Sequence, residues 1–386
     1  MKRLVRLGIL GVVLAAVGAG CILPLSTAGF TPQIQLVSTS TIGAWKYDYY
    51  RNPHVPCAVS GSQTFVIATK VGSVASAARP LFVHMHGGGA GYFDAAGNPV
   101  PGQGQKVEES AASLVNRLNK NNGLFGNVRS AAAGFRMMAV SYCGHDLYSG
   151  LYSTDPNNPN VDAAGKPRTT NGLISVKAAI QYTTSQYATT KFLIHGGSAG
   201  SVGTFGVAWS LQQQGISPAG IIADASIVNV EAFAAGNAAG ICTDENDPGR
   251  VAGITGRVHP DLANPANQPD KLVADGRLTV PILHVWTHAD QATCGAPPVE
   301  CPLRDGSTVT LGYTDCIHEP MRLAIEAQGP SAKSENLGLC VTPVGQPECS
   351  AHVVANRGGL LNTDPGAPAD YQTAMMDWLL ARLADA

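Results

Sequence analysis

Residues 192–215 read FLIHGGSAGSVGTFGVAWSLQQQG. An apolar-leaning run enters a cluster of glycines around Ser198, and a helix-like stretch ended by Gly215 follows at once. Gly196-Gly197-Ser198-Ala199-Gly200 matches G-x-S-x-G, the pattern of a nucleophile elbow between strand and helix. So sharp a turn demands unusual backbone angles and close strand–helix approach, both of which glycine tolerates. It exposes the serine hydroxyl at a helix N-terminus, where backbone amides favour negative charge. A plain Gly/Ser turn would use the same letters, so the rest of the chain has to decide.

Other short apolar runs alternate with helix-like stretches. Residues 79–86 (RPLFVHMH), 135–142 (FRMMAVSY), 219–226 (AGIIADAS), 279–287 (TVPILHVWT) and 337–344 (LGLCVTPV) read as buried strands. Residues 108–120, 173–187, 201–215 and 371–384 carry helical spacing. This rhythm predicts an α/β fold, with a mainly parallel sheet covered by helices on both faces. Residues 144–172 and 232–276 are long and irregular, and we read both as loop or lid insertions that rim a pocket. Apolar residues make up 45% of the chain and charged ones 13%, enough for a real core and too little charge for a disordered segment. A formal charge of −2 without a basic stripe disfavours nucleic acid as a partner.

The first twenty residues stand apart from the fold. Lys2, Arg3 and Arg6 precede the apolar run from Leu7 to Val17, and Gly18-Ala19-Gly20 leads to Cys21. That is the layout of a secretory signal peptide, and the run is short for a permanent membrane span. Cys21 after small residues also resembles a lipoprotein cleavage site, with Gly18 where Leu is usual; lipid anchoring through Cys21 and plain secretion both stay open. Residues 21–45 read as a tether and 46–386 as the folded domain. Beyond Cys21 there remain Cys57, Cys143, Cys242, Cys294, Cys301, Cys316, Cys340 and Cys349. An even number in an exported chain reads as up to four disulfides, Cys340–Cys349 being a plausible local one. No Cys/His cluster has metal-ligand spacing.

His86-Gly87-Gly88-Gly89 closes the 79–86 strand, upstream of the elbow. Such a loop supplies amides to the oxyanion of a tetrahedral intermediate, each donor contributing about 3 kcal/mol in the transition state. Gly88 and Gly89, with Ala199 after the serine, are the candidate donors. Ser198 needs a base, and the base an orienting acid. Asp290, just after the 279–287 strand, is the first candidate acid and Asp224 the second. His352 is the first candidate base, giving the order Ser, Asp, His; His318 is the alternative. His288 reads as pocket-lining or solvated, and His195 and His284 as packed core residues. His54, His145 and His259 lie in loops without a visible partner. His84 and His86 share a strand face and could ligate a metal, but nothing else supports one; no cofactor and no metal are expected.

Several of these stretches together resemble the pectinacetylesterase/Notum family of exported α/β-hydrolase carboxylesterases. They are HGGGAGYF (86–93), SYCGHDLYSG (141–150), GGSAGSVGT (196–204), IIADASIVN (221–229) and CSAHVV (349–354), in order along most of the chain. The resemblance implies an α/β-hydrolase fold, with Ser198 as nucleophile, His352 as base, Asp290 as acid and a glycine oxyanion loop. It implies a serine esterase acting through an acyl-enzyme on a small-molecule or polymeric ester. Ala90, Ser201 and Asp224-Ala225-Ser226 depart from the family pattern at the presumed substrate site, so the family's substrates are not carried over. An amidase or peptidase using the same triad, and a catalytically silent binding module, are the alternatives.

Overall fold

The computed structural model describes residues 33–100, 106–225, 240–241, 256–290, 292, 294–339, 341–342, 351–355, 361–362 and 370–385. Its centre is a nine-stranded sheet. The strands are β1 (Gln35–Ile42), β2 (Trp45–Pro56), β3 (Ser62–Lys70), β4 (Arg79–Met85), β5 (Arg136–Val140), β6 (Thr189–Gly197), β7 (Gly220–Asp224), β8 (Ile282–Thr287) and β9 (Glu335–Leu339). They lie in the order β1-β2-β3-β5-β4-β6-β7-β8-β9. β1 to β3 run antiparallel to their neighbours, and every pairing from β5 through β9 is parallel.

The central strands are buried along almost their whole length, as strands covered on both faces must be. Alternate residues feed opposite cores. Leu81, Val83 and Met85 of β4 pack with α3 (Gly172–Gln186) and α4 (Ala199–Gln212). Phe82 points the other way, toward α1 (Ala111–Leu118), α2 (Gly123–Ser130) and the C-terminal helix. α1 starts at Ser110, whose side chain accepts from the Ser113 amide, and it buries Leu114, Val115 and Leu118. α4 is buried from Ala199 to Leu211, so it reads as apolar all round rather than as a stripe. The longer helices that follow, among the described residues, are α5 (Tyr313–Gln328) and α6 (Tyr371–Ala384); Asp370 caps α6 through the amides of Gln372 and Thr373.

Chain order reverses at the middle of the sheet. After β4 the chain crosses by α1 and α2 to β5 on one side, then by α3 over β4 to β6 on the other. Crossovers in opposite directions leave a crevice at the carboxyl ends of β4 and β6, which pair with Gly196 opposite Met85. The HGGG loop and the Ser198 corner both open at that crevice.

Two expectations differ from the structure. Residues 35–45, read as tether, form β1 and the start of β2 at the sheet edge. Every residue of β1 is exposed, so this Ser/Thr-rich strand is held by backbone pairing and carries no burial signature to read. His318, the alternative base, lies inside α5, which starts directly after a short strand, Thr308–Gly312. The two ends of the 144–172 segment are interior structure, with His145, Asp146, Tyr148, Ser149, Thr170 and Asn171 buried, while most of residues 151–169 keep surface open. Of the 232–276 segment only parts are described. The signal-like segment, Cys21 and the Cys340–Cys349 pair lie outside the described residues. Cys57–Cys143 and Cys301–Cys316 are disulfides, and Cys294 is disulfide-bonded as well.

Candidate active site

Ser198 stands between β6 and α4 with φ 54° and ψ −124°. The unusual backbone angle therefore falls on the serine itself, a non-glycine residue in a sparsely populated region. The glycines serve close approach instead. A Cβ on Gly200 would lie 2.0 Å from the Met85 carbonyl oxygen, and one on Gly196 would lie 2.2 Å from that of Gly200. The elbow is thus pressed against the end of β4. The HGGG loop completes the contact, since a Cβ on Gly87 would meet Ser198 Cβ at 2.5 Å.

Gly88 and Gly89 are exposed and follow Gly87, the loop residue that meets Ser198. Ala199 is the first residue of α4, where an amide has no acceptor within its own helix. The loop is held from behind by groups that the sequence did not single out. Tyr142 Oη donates to Gly89 O at 3.0 Å and accepts from the Leu147 amide at 3.0 Å. Tyr148 Oη donates to His86 O at 3.1 Å, and His86 Nε2 lies 2.9 Å from a Glu109 carboxylate oxygen. Tyr142 stacks between His145 and Tyr148, with ring centroids 4.6 and 4.5 Å away. Arg257, fully buried, donates to Gly91 O, His145 O and Gly144 O and pairs with Asp155 at 2.7 Å. It ties the stretch after the HGGG loop to the 144–172 segment. The SYCGHDLYSG stretch was visible in the sequence, but its buttressing role is not a local pattern. Glu109 and Arg257 carried no signal.

The candidate base and acid meet. His352 Nδ1 lies 2.6 Å from Asp290 Oδ2, and Asp290 Oδ1 accepts from the Ala292 amide at 2.8 Å. Asp290 is buried, whereas Ser198 and His352 keep part of their surface open. The histidine loop reaches the elbow: a Cβ on Gly197 would sit 2.9 Å from Val353 Cγ1. Asp224, the second candidate acid, does not touch His352. Its carboxylate accepts from the amides of Val354 and Ala355, and its own carbonyl accepts from Ser198 N.

The other histidines go elsewhere. His318 Nδ1 lies 2.8 Å from His284 Nε2, and burial, then the neighbouring His284, holds His318 well below the ordinary imidazole range. Burial also takes His284 down to about 4. His84 Nδ1 lies 3.0 Å from His195 Nδ1, and burial followed by the His195 charge holds it low. His288 Nδ1 lies 2.7 Å from Asp315 Oδ1. His145, which showed no partner in the sequence, lines Gly88 from below, and His259 accepts the Asp261 amide at a helix start. Among the described residues no three His, Cys, Asp or Glu side chains form a group that could hold a metal ion.

A mainly parallel sheet with an antiparallel edge, helices on both faces and a strained serine elbow after a central strand define an α/β-hydrolase fold. No protein-family model and no curated protein matches the chain. Among solved structures, esterase B from Lactobacillus Rhamnosis is similar at 13% identity, over 90% of this chain and 89% of that one, with a TM-score of 0.48. An S-formylglutathione hydrolase from Agrobacterium tumefaciens is similar at 12% identity, over 66% of this chain and 80% of that one, with a TM-score of 0.39. At such identities the likeness concerns the fold alone.

Proposed function

We propose that the chain is an exported serine carboxylesterase, hydrolysing an O-acyl ester through Ser198, His352 and Asp290. The observation that carries this reading is the His352–Asp290 contact of 2.6 Å on a loop that packs against the Ser198 elbow. Asp290 accepts from Nδ1 of His352, leaving Nε2 to take the serine proton. Ser198 Oγ attacks the ester carbonyl, and the amides of Gly88, Gly89 and Ala199 receive the oxyanion. His352 then protonates the leaving alcohol, and a water activated by the same base releases the acid. The partner is a small-molecule or polymeric ester, and the mechanism calls for no cofactor. The pectinacetylesterase/Notum-like motifs support an extracellular acyl ester as the substrate class. The disulfides support export, and secreted and lipid-anchored forms both accord with the N-terminal sequence.

The test is hydrolysis of a p-nitrophenyl ester series with covalent labelling by a fluorophosphonate. The wild type should turn over esters and take the label. Ser198→Ala should lose the label and activity by on the order of 10⁴-fold or more. A wild type that neither turns over nor labels would sink the reading.

A further inference from the structure

We propose that Asp224 is the positioning residue of this site, joining the nucleophile corner to the histidine loop through one buried side chain and its own backbone; the inference rests on the esterase reading above. The histidine loop is strained beside the histidine itself. Val353, directly after His352, has φ 53°, a left-handed conformation that a β-branched side chain strongly disfavours. Such a conformation persists only where neighbouring contacts over-determine it.

Asp224 supplies them. Its Oδ1 accepts from Val354 N at 3.0 Å and its Oδ2 from Ala355 N at 2.8 Å, the two amides next along from the strained residue. A carboxylate receiving two successive amides fixes the orientation of both peptide planes. Its main-chain oxygen receives the Ser198 amide at 2.9 Å, so the same residue also holds the strained serine. Asp224 ends β7, whose register sets Gly197 opposite it and locks its backbone to β6. Thr287 Oγ1 donates to Ala351 O at 2.8 Å and Tyr371 Oη to Val354 O at 2.7 Å, holding two carbonyls of the same loop.

Asp224 is itself buried, 1% exposed, and a histidine stands beside its carboxylate. His195 Nε2 stands 3.6 Å from Asp224 Oδ2, and His195 Nδ1 meets His84 Nδ1 on the far side. A buried carboxylate must be compensated, and here the two amides of Val354 and Ala355 do so. That is the environment of an anchor for backbone. It places no contact from Asp224 onto the His352 ring, whose Nδ1 is taken by Asp290.

The experiment compares wild type, Asp224→Asn, Asp224→Ala, Asp290→Asn and Ser198→Ala on p-nitrophenyl acetate, with fluorophosphonate labelling rates and thermal melts. Asn keeps one acceptor, so kcat should fall about tenfold in Asp224→Asn and about a hundredfold in Asp224→Ala, with KM within about threefold of wild type. Labelling should slow in parallel, and Asp290→Asn should lose more kcat than Asp224→Asn. Folded Asp224 variants at wild-type kcat would overturn the proposal, as would a raised KM with unchanged kcat. Larger kcat loss in Asp224→Asn than in Asp290→Asn would also overturn it, by making Asp224 the acid. An inactive wild type, or an active Ser198→Ala, is instead the failure of the esterase reading. Should the Asp224 variants not fold, amide hydrogen exchange in the wild type decides. Protection of Val354 and Ala355 as strong as in β7 supports the anchor, and exchange at unprotected rates overturns it.

Discussion

At the scale of single residues, the elbow separates two demands that the letters GGSAGS merge. The positive φ falls on Ser198, and the neighbouring glycines are required by contact distance. Gly200 makes this testable, because the atoms its Cβ would strike are backbone carbonyls of Met85 and His86 and cannot rotate aside. Gly200→Ala should destabilise the fold by about 2 kcal/mol or more in urea unfolding, within the range of overpacked cores. It should also lower kcat, since the strand end it displaces carries the HGGG loop, the proposed source of the oxyanion amides. A variant with the wild-type midpoint would show that β4 and α4 are not pressed together here. Asp224 and Asp290 illustrate the same scale: both are buried acids at strand ends, yet one meets an imidazole and the other two amides.

Between elements, α3 and α4 are joined by a buried amine. Lys177 Nζ donates to Ser210 Oγ at 2.7 Å with no exposed surface on the lysine, and burial lowers its pKa to about 8. The unfolded lysine titrates near its ordinary value of 10.5. Below pH 8 both states are protonated and the folded state bears the full cost of a buried charge. Between about 8 and 10.5 the unfolded chain binds one more proton than the folded one, so stability from this group rises with pH and then levels. The slope is at most about 1.4 kcal/mol per pH unit. Lys177→Met should remove this rise, and its advantage over wild type in melting temperature should shrink from pH 7.5 to 10.5. An unchanged difference across that window would place the amine in water instead.

Across the whole molecule, the Cys57–Cys143 disulfide closes a loop of 86 residues and ends beside the segment that buttresses Gly89. In the chain-entropy account such a loop stabilises by on the order of 4 kcal/mol, against about 3 for the Cys301–Cys316 loop of 15. The Cys57→Ser/Cys143→Ser double variant should unfold at markedly lower urea concentration and lose more esterase activity at 37 °C than Cys301→Ser/Cys316→Ser. Equal losses would separate the first disulfide from the site. No helix among the described residues is long and apolar enough to cross a membrane.

What the sequence by itself determined were the features written in local order. The central strands and the helices α1, α3, α4 and α6 carry their period in adjacent residues. The G-x-S-x-G corner and HGGG loop require glycine at fixed spacing, and both were legible for that reason. Strand β1 was not, because an exposed edge held by backbone bonds has no apolar alternation, and α5 was hidden behind Pro320 and a mixed composition. Only the tertiary structure decided which acid faces His352. Asp290 and His352 are 62 residues apart, Asp224 and Val354 130 apart, and no local pattern reports which buried carboxylate a folded loop will meet. The strand order does so, by setting the ends of β7 and β8 side by side and bringing the histidine loop across both.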